Sequence, residues 1–123
     1  MNRQRHLGRR GEEHAARWLQ ERGWVILDRN WRGSAGELDV VALDGEVLVG
    51  VEVKLRRGEE FGAAEEAITP SKLTRLLQTT SEYLLHHPEH SERLWRVDLV
   101  AITLDARGRV QRVIHVENAV TGE

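Results

Sequence analysis

The chain has 123 residues, few enough for a single domain spanning 1–123 and enough to bury roughly two-thirds of the surface the unfolded chain exposes. Apolar residues make up 40% and charged residues 31%, which is a globular composition, and no apolar run reaches the roughly 18–20 residues that span a bilayer. The lack of cysteine excludes disulfide scaffolds, thiol nucleophiles and thiolate zinc sites, and a net charge of −2 argues against a uniformly basic nucleic-acid binder.

The first residues lead into no apolar signal core, so a cytoplasmic chain without membrane contact is expected. The charge is unevenly spread. Over residues 1–32 arginines exceed acids by four, whereas over residues 33–54 acids exceed the one base, Lys54, by four. A basic first third therefore abuts an acidic middle.

In chain order, Arg5 to Arg22 reads as a helix closed by Gly23, a favourable residue just past a helix end. Ala15, Ala16 and Leu19 share its apolar face, and helical spacing puts Gly8 and Glu12 on the same face. Trp24 to Leu27 reads as a short buried strand and Asn30 to Gly36 as a loop. Glu37 to Leu43 and Glu46 to Lys54 read as strands joined by a tight turn at Asp44-Gly45. Arg56 to Glu66 is irregular or partly helical. Thr69-Pro70 supplies an N-cap and first residue for a helix whose stripe is Leu73, Leu76, Leu77, Tyr83 and Leu84, with Pro88 beyond its end. Trp95 to Leu104 and Val110 to Val116 are the last strands, separated by a turn at Asp105 to Gly108. The order α-β-β-β-α-β-β, with a helical crossover between parallel strands, predicts an α/β fold: a mixed sheet flanked by helices.

With Asp44 and Gly45 as the two turn residues, Asp39 would face Gly50 and Glu37 would face Glu52. Glu37, Asp39, Glu52 and Lys54 would then share one face, with Glu52 diagonal to Asp39 and open space beside it at Gly50. Two converging carboxylates without cysteine or a nearby histidine make a hard-oxygen site, suited to Mg²⁺ or Mn²⁺. Lys54 projects to the same side, where an ammonium can orient a metal-bound water and stabilise charge developing on a phosphate. Glu12 is the further element, because a carboxylate on an apolar helix face costs free energy unless it is paired or metal-bound. Gly8 and Gly11 would let that helix approach another backbone closely.

Several stretches resemble one known family. They are Gly11-Glu12 with Ala16 and Leu19, Asn30-Trp31-Arg32, Gly36-Glu37-Leu38-Asp39, and Val51-Glu52-Val53-Lys54 with Arg56. Phe61-Gly62, Lys72, Tyr83-Leu84 and Val97-Asp98-Leu99-Val100-Ala101-Ile102 follow in the same order. Together they resemble the YraN-like family of predicted endonucleases, within the PD-(D/E)xK nuclease superfamily that includes archaeal Holliday-junction resolvases. The resemblance implies a restriction-endonuclease-like core and a metal-dependent endonuclease acting on DNA, including branched or structured DNA in repair or recombination. It implies Asp39 and Glu52 as metal-binding acids, the Val53 carbonyl as a third ligand, Lys54 as catalytic lysine and Glu12 as a helix-borne acid. It also raises a two-fold homodimer and a repair or recombination protein as partners. The residue before Asp39 is Leu38 rather than the proline of the superfamily's name, and Gln78 and Tyr83 are five apart, so the helical Gln-x-x-x-Tyr of some relatives is absent. A non-catalytic nuclease-like module that binds nucleic acid or a protein partner is the alternative.

Arg5, Arg9, Arg10, Arg32, Arg56 and Arg57 flank the acidic stretch and are the candidate phosphate contacts, weighed against plain solvated charge. Trp31, beside Arg32, is the aromatic best placed to stack on a base. His86, His87 and His90 read as a polar helix terminus rather than a metal site.

Overall fold

The structure of the chain, a computed structural model, describes residues 3–57 and 69–117, with side chains described from Gly11 onward. Helix α1 (Arg3–Glu21) is followed by strands β1 (Val25–Arg32), β2 (Glu37–Asp44) and β3 (Val47–Arg57). Helix α2 (Pro70–His86), a short 3₁₀ turn (Pro88–His90), β4 (Trp95–Leu104) and β5 (Val110–Val116) complete the order. The five strands form one sheet in the order β1-β2-β3-β4-β5, antiparallel except for the parallel pair β3–β4. This is the expected mixed α/β architecture. No helix among the described residues is long and apolar enough to cross a membrane.

Alternation along the strands builds two apolar faces. Val40, Ala42, Val49, Val51, Val100 and Ile102 pack against Ala15 and Leu19 of α1. Val41, Leu48 and Val97 turn the other way and pack against Leu76 and Tyr83 of α2. Helix α2 begins as its sequence dictates: Thr69 is extended, its hydroxyl accepts from the Lys72 N–H at 3.2 Å, and Pro70 needs no donor there.

Three expectations are corrected. The β2–β3 turn is shifted by one residue. Asp44 pairs with Val47, so Gly45 and Glu46 form the loop, and Gly45 takes the positive φ of 61° that a glycine at the first loop position accepts without strain. Val41 therefore faces Gly50 and Val40 faces Val51, a register two residues from the one predicted. A shift of two preserves parity, so the side chains within the ladder, Val40 to Asp44, keep their predicted faces.

Second, Gly50 does not open space for an ion. A Cβ there would run into Thr80 Oγ1, so the missing side chain admits α2. Third, two strands run longer than predicted. β1 continues through Asn30 to Arg32 past an irregularity between Ile26 and Asp28, with Asn30 alone among described non-glycine residues at positive φ, 56°. Asparagine tolerates that region better than most side chains. β3 continues to Arg57, so Arg56 and Arg57 are strand residues. The rest of the stretch predicted as irregular, with Phe61 and Gly62, lies outside the described residues.

Candidate metal and phosphate site

The β2–β3 ladder ends at Val40 and Val51. In a regular strand, residues three apart face opposite sides. Leu38 and Val41 nevertheless both pack beneath α2, so β2 twists over as it parts from β3 at Asp39. The parting leaves the Val53 N–H without a backbone acceptor on β2, and Asp39 Oδ2 takes it at 2.8 Å. A side chain thereby replaces one rung of the ladder. This fixes the carboxyl at the mouth of a cleft of about 330 Å³ between the strands and α2. Glu37, Asp39 and Glu52 line the cleft from the strands, and Lys72, Arg75 and Thr79 line it from α2.

The acids predicted from sequence are brought together electrostatically. Burial pushes the Asp39 carboxyl up to about 8; the charge on Glu52 adds to this, the Val53 N–H opposes it, and Glu12 and Glu37 raise it further. Glu12 reaches the group from α1. Its carboxyl is raised by burial, opposed by hydrogen bonding with Asn30 and Asp39. Its Oε1 is buried without a hydrogen-bond partner among the described residues. The left-handed backbone at Asn30 thus stands beside the site, where such conformations tend to gather. Gly11, one residue before Glu12, lets α1 settle on β3: a Cβ there would sit 3.1 Å from Leu55 Cβ.

Glu52 pairs with Lys72, Nζ to Oε2 at 3.2 Å. Lys54, two residues beyond Glu52, is exposed and is not among the residues lining the cleft. Arg32 ends β1 at the surface, Arg56 is half-buried and Arg57 exposed, while the Arg9 and Arg10 side chains lie outside the described residues. Among the described residues, no three carboxylate or imidazole groups stand close enough to hold a metal ion in these side-chain positions.

Other predicted features have structural partners. Trp31 packs edge-on against Tyr83, ring centroids 5.2 Å apart, and belongs to the apolar cluster under α2 rather than presenting a free face for a base. His87 stacks on Tyr83 and meets its carbonyl at 2.8 Å; His86 lies 3.9 Å from Glu82; His90 Nδ1 accepts from Arg93 Nε at 2.9 Å. The three imidazoles are separately engaged. Glu82 also accepts from the N–H and hydroxyl of Ser34, which ties the β1–β2 loop to α2 beside the cleft.

Sequence reasoning passed over Lys72 and Arg75 as site residues. A signal was present, since Lys72 is one of only two lysines among 18 basic residues. Its position on the helical face that meets the strand acids is a tertiary fact, and no periodicity announces it. A buried cluster on the α1 side was also missed. Asp98, wholly buried, accepts from Arg96 Nε at 2.9 Å and meets His115 Nε2 at 2.8 Å.

A model of the family described as "Uncharacterised protein family UPF0102" matches residues 11–102. The chain belongs to the UPF0102 family. It is 50% identical over 102 residues to a UPF0102 protein of Kineococcus radiotolerans, a match covering 83% of this chain and 84% of that one. A UPF0102 protein of Pelotomaculum thermopropionicum is 48% identical over 113 residues, covering 92% and 93% of the two chains. One from Roseiflexus castenholzii is 42% identical over 118 residues, covering 96% and 95%. The UPF0102 match begins at Gly11, beside Glu12, and ends at Ile102 in β4, so it encloses every residue of the cleft.

Proposed function

We propose that this UPF0102 protein is a divalent-metal-dependent endonuclease of restriction-endonuclease-like fold that hydrolyses phosphodiester bonds in DNA, branched or otherwise structured DNA included. The observation that carries this reading is the desolvated acid cluster at the β2–β3 parting. Asp39 is pushed up to about 8 and Glu12 Oε1 is buried without a partner among the described residues. Carboxylates held together out of water at such cost either keep a proton or take a cation in its place. Their hard oxygens suit Mg²⁺ or Mn²⁺. Asp39, Glu52, the Val53 carbonyl and Glu12 would hold the ion.

A bound divalent ion supplies Lewis acidity at the phosphate and a water acidified for attack. The chain's own residues do the rest. Asp39, locked by the Val53 N–H, fixes the direction in which the acids point. Glu12 approaches from the opposite helix and would add its buried, unpartnered Oε1 to the oxygens around the ion. Lys54, exposed beside the cleft, would swing its ammonium to the attacking water and to the phosphate oxygens on which charge develops. Arg9, Arg10, Arg32, Arg56 and Arg57 contact flanking phosphates.

The test is nicking of linear, flapped and four-way DNA with Mg²⁺ and with Mn²⁺. Wild type is expected to cut, and Lys54→Ala and Asp39→Ala to lose at least about 10²-fold in rate while keeping the wild-type circular dichroism spectrum. No cleavage of any substrate with either ion would overturn the proposal. The Lys72–Glu52 ion pair, which commits one of the acids, favours a second reading as a nucleic-acid-binding module without turnover. That reading expects DNA binding to survive Asp39→Ala with no cleavage by the wild type.

A further inference from the structure

The cleft holds an ion pair whose two members suit different ligands. Glu52 is the more buried partner, its side chain 15% exposed, and Lys72 is 35% exposed at 3.2 Å from it. Arg75 stands three residues on from Lys72, a spacing that places both on one side of α2, and both line the same cleft. Facing them are Glu37, Asp39 and Glu52. A phosphodiester is an anion, and an acid-lined cleft repels it unless cations in the wall receive its non-bridging oxygens. Among the described residues lining this cleft, Lys72 and Arg75 are the cations.

We infer that Lys72 is a phosphate-binding residue that exchanges partners, neutralising Glu52 in the metal-free protein and turning with Arg75 to a non-bridging oxygen of the phosphodiester once a divalent ion takes Glu52. The inference rests on the reading of Asp39 and Glu52 as metal ligands. Lysine suits such an exchange. Its ammonium is a compact charge on a flexible four-carbon stem, whereas arginine would grip the carboxylate through a planar fork and release it reluctantly. The first turn of α2 is anchored by the Thr69 cap, so the swing is confined to the side chain.

The exchange predicts opposite effects on metal and substrate. Lys72→Met keeps the stem and removes the charge that competes for Glu52. Mn²⁺ binding measured by titration calorimetry without DNA is expected to tighten by about tenfold, the effect of one adjacent like charge. Nicking by the same variant is expected to fall about 10²-fold. Lys72→Arg should restore DNA binding measured in Ca²⁺ but bind Mn²⁺ no more tightly than wild type. Lys72→Gln serves as the second neutral variant should Lys72→Met fail to fold, and thermal melting reports on both. A neutral variant that binds Mn²⁺ no more tightly, or cuts as fast as wild type, overturns the exchange while leaving the metal reading in place. A wild-type protein that binds no Mn²⁺ and cuts no DNA overturns both.

Discussion

Asp39 serves two ends with one carboxyl: Oδ2 completes the backbone bonding of β3, and the group also heads the acid cluster. Its ionisation is set by that position. An aspartate in an unfolded chain titrates near about 3.9. Folded Asp39 is pushed up to about 8 by burial first and then by Glu52. Between these values the native protein holds a proton that the unfolded chain has released, so stability falls as pH rises through the window. The metal-free protein is therefore expected to melt at progressively lower temperature from about pH 5 to pH 8, and Asp39→Asn to flatten that slope. Thermal melts of the two proteins across pH provide the check; equal slopes would remove Asp39 as the cause. A divalent ion must displace the same proton, so its affinity should rise with pH over the same range.

At the level of elements, the hairpin shows what a local signal can and cannot settle. Asp44-Gly45 announced a tight turn in the right place. It could not say whether Asp44 or Gly45 leads the loop, because Asp-Gly and Gly-X turns both begin from these residues. The choice lies in cross-strand packing, which seats Val40 on Val51 and Val41 on Gly50. The shift preserves parity within the ladder, and beyond it the twist of β2 still brings Asp39 to Glu52. Gly50 was misread for the same reason: only tertiary packing reveals Thr80 above it. Gly50→Ala is expected to cost about 1–3 kcal/mol, because the buried Thr80 hydroxyl is held by the Leu76 carbonyl at 2.8 Å and has little room to retreat. Urea unfolding measures it; a neutral result would mean that α2 slides freely over the sheet.

For the whole molecule, an arginine-rich first third and an acidic middle cancel, the net charge of −2 comes from the residues after Lys54, and the fold separates the two blocks in use. The acids gather in the cleft between β2, β3 and α2, while Arg32 and Arg57 stay at the surface. The element order and the mixed sheet with flanking helices were legible because periodicity and capping residues report on local backbone. The nearness of Glu12 and Glu52 to Asp39 was legible because Asp39 and Glu52 sit on paired strands and Glu12 on an apolar helix face. Lys72 was not, because strand and helix patterns carry no information about which helical face meets which strand end. If DNA lies along this surface, Arg32→Ala and Arg57→Ala should weaken binding of every sequence alike. Each should lower the slope of log affinity against log salt by about 0.9 for every phosphate that its arginine had neutralised. Unchanged slopes would place the DNA elsewhere.

The rung that Asp39 supplies to β3 has a spectroscopic consequence. Backbone amides along a strand normally report only on the sheet, but the Val53 N–H donates to the carboxyl that heads the acid cluster. Protonation of that carboxyl, or its capture by a cation, withdraws electron density from the acceptor and must register in the Val53 amide resonance. The molecule thus carries its own indicator: one proton in the sheet whose chemical shift follows the state of the cleft without any label or substrate.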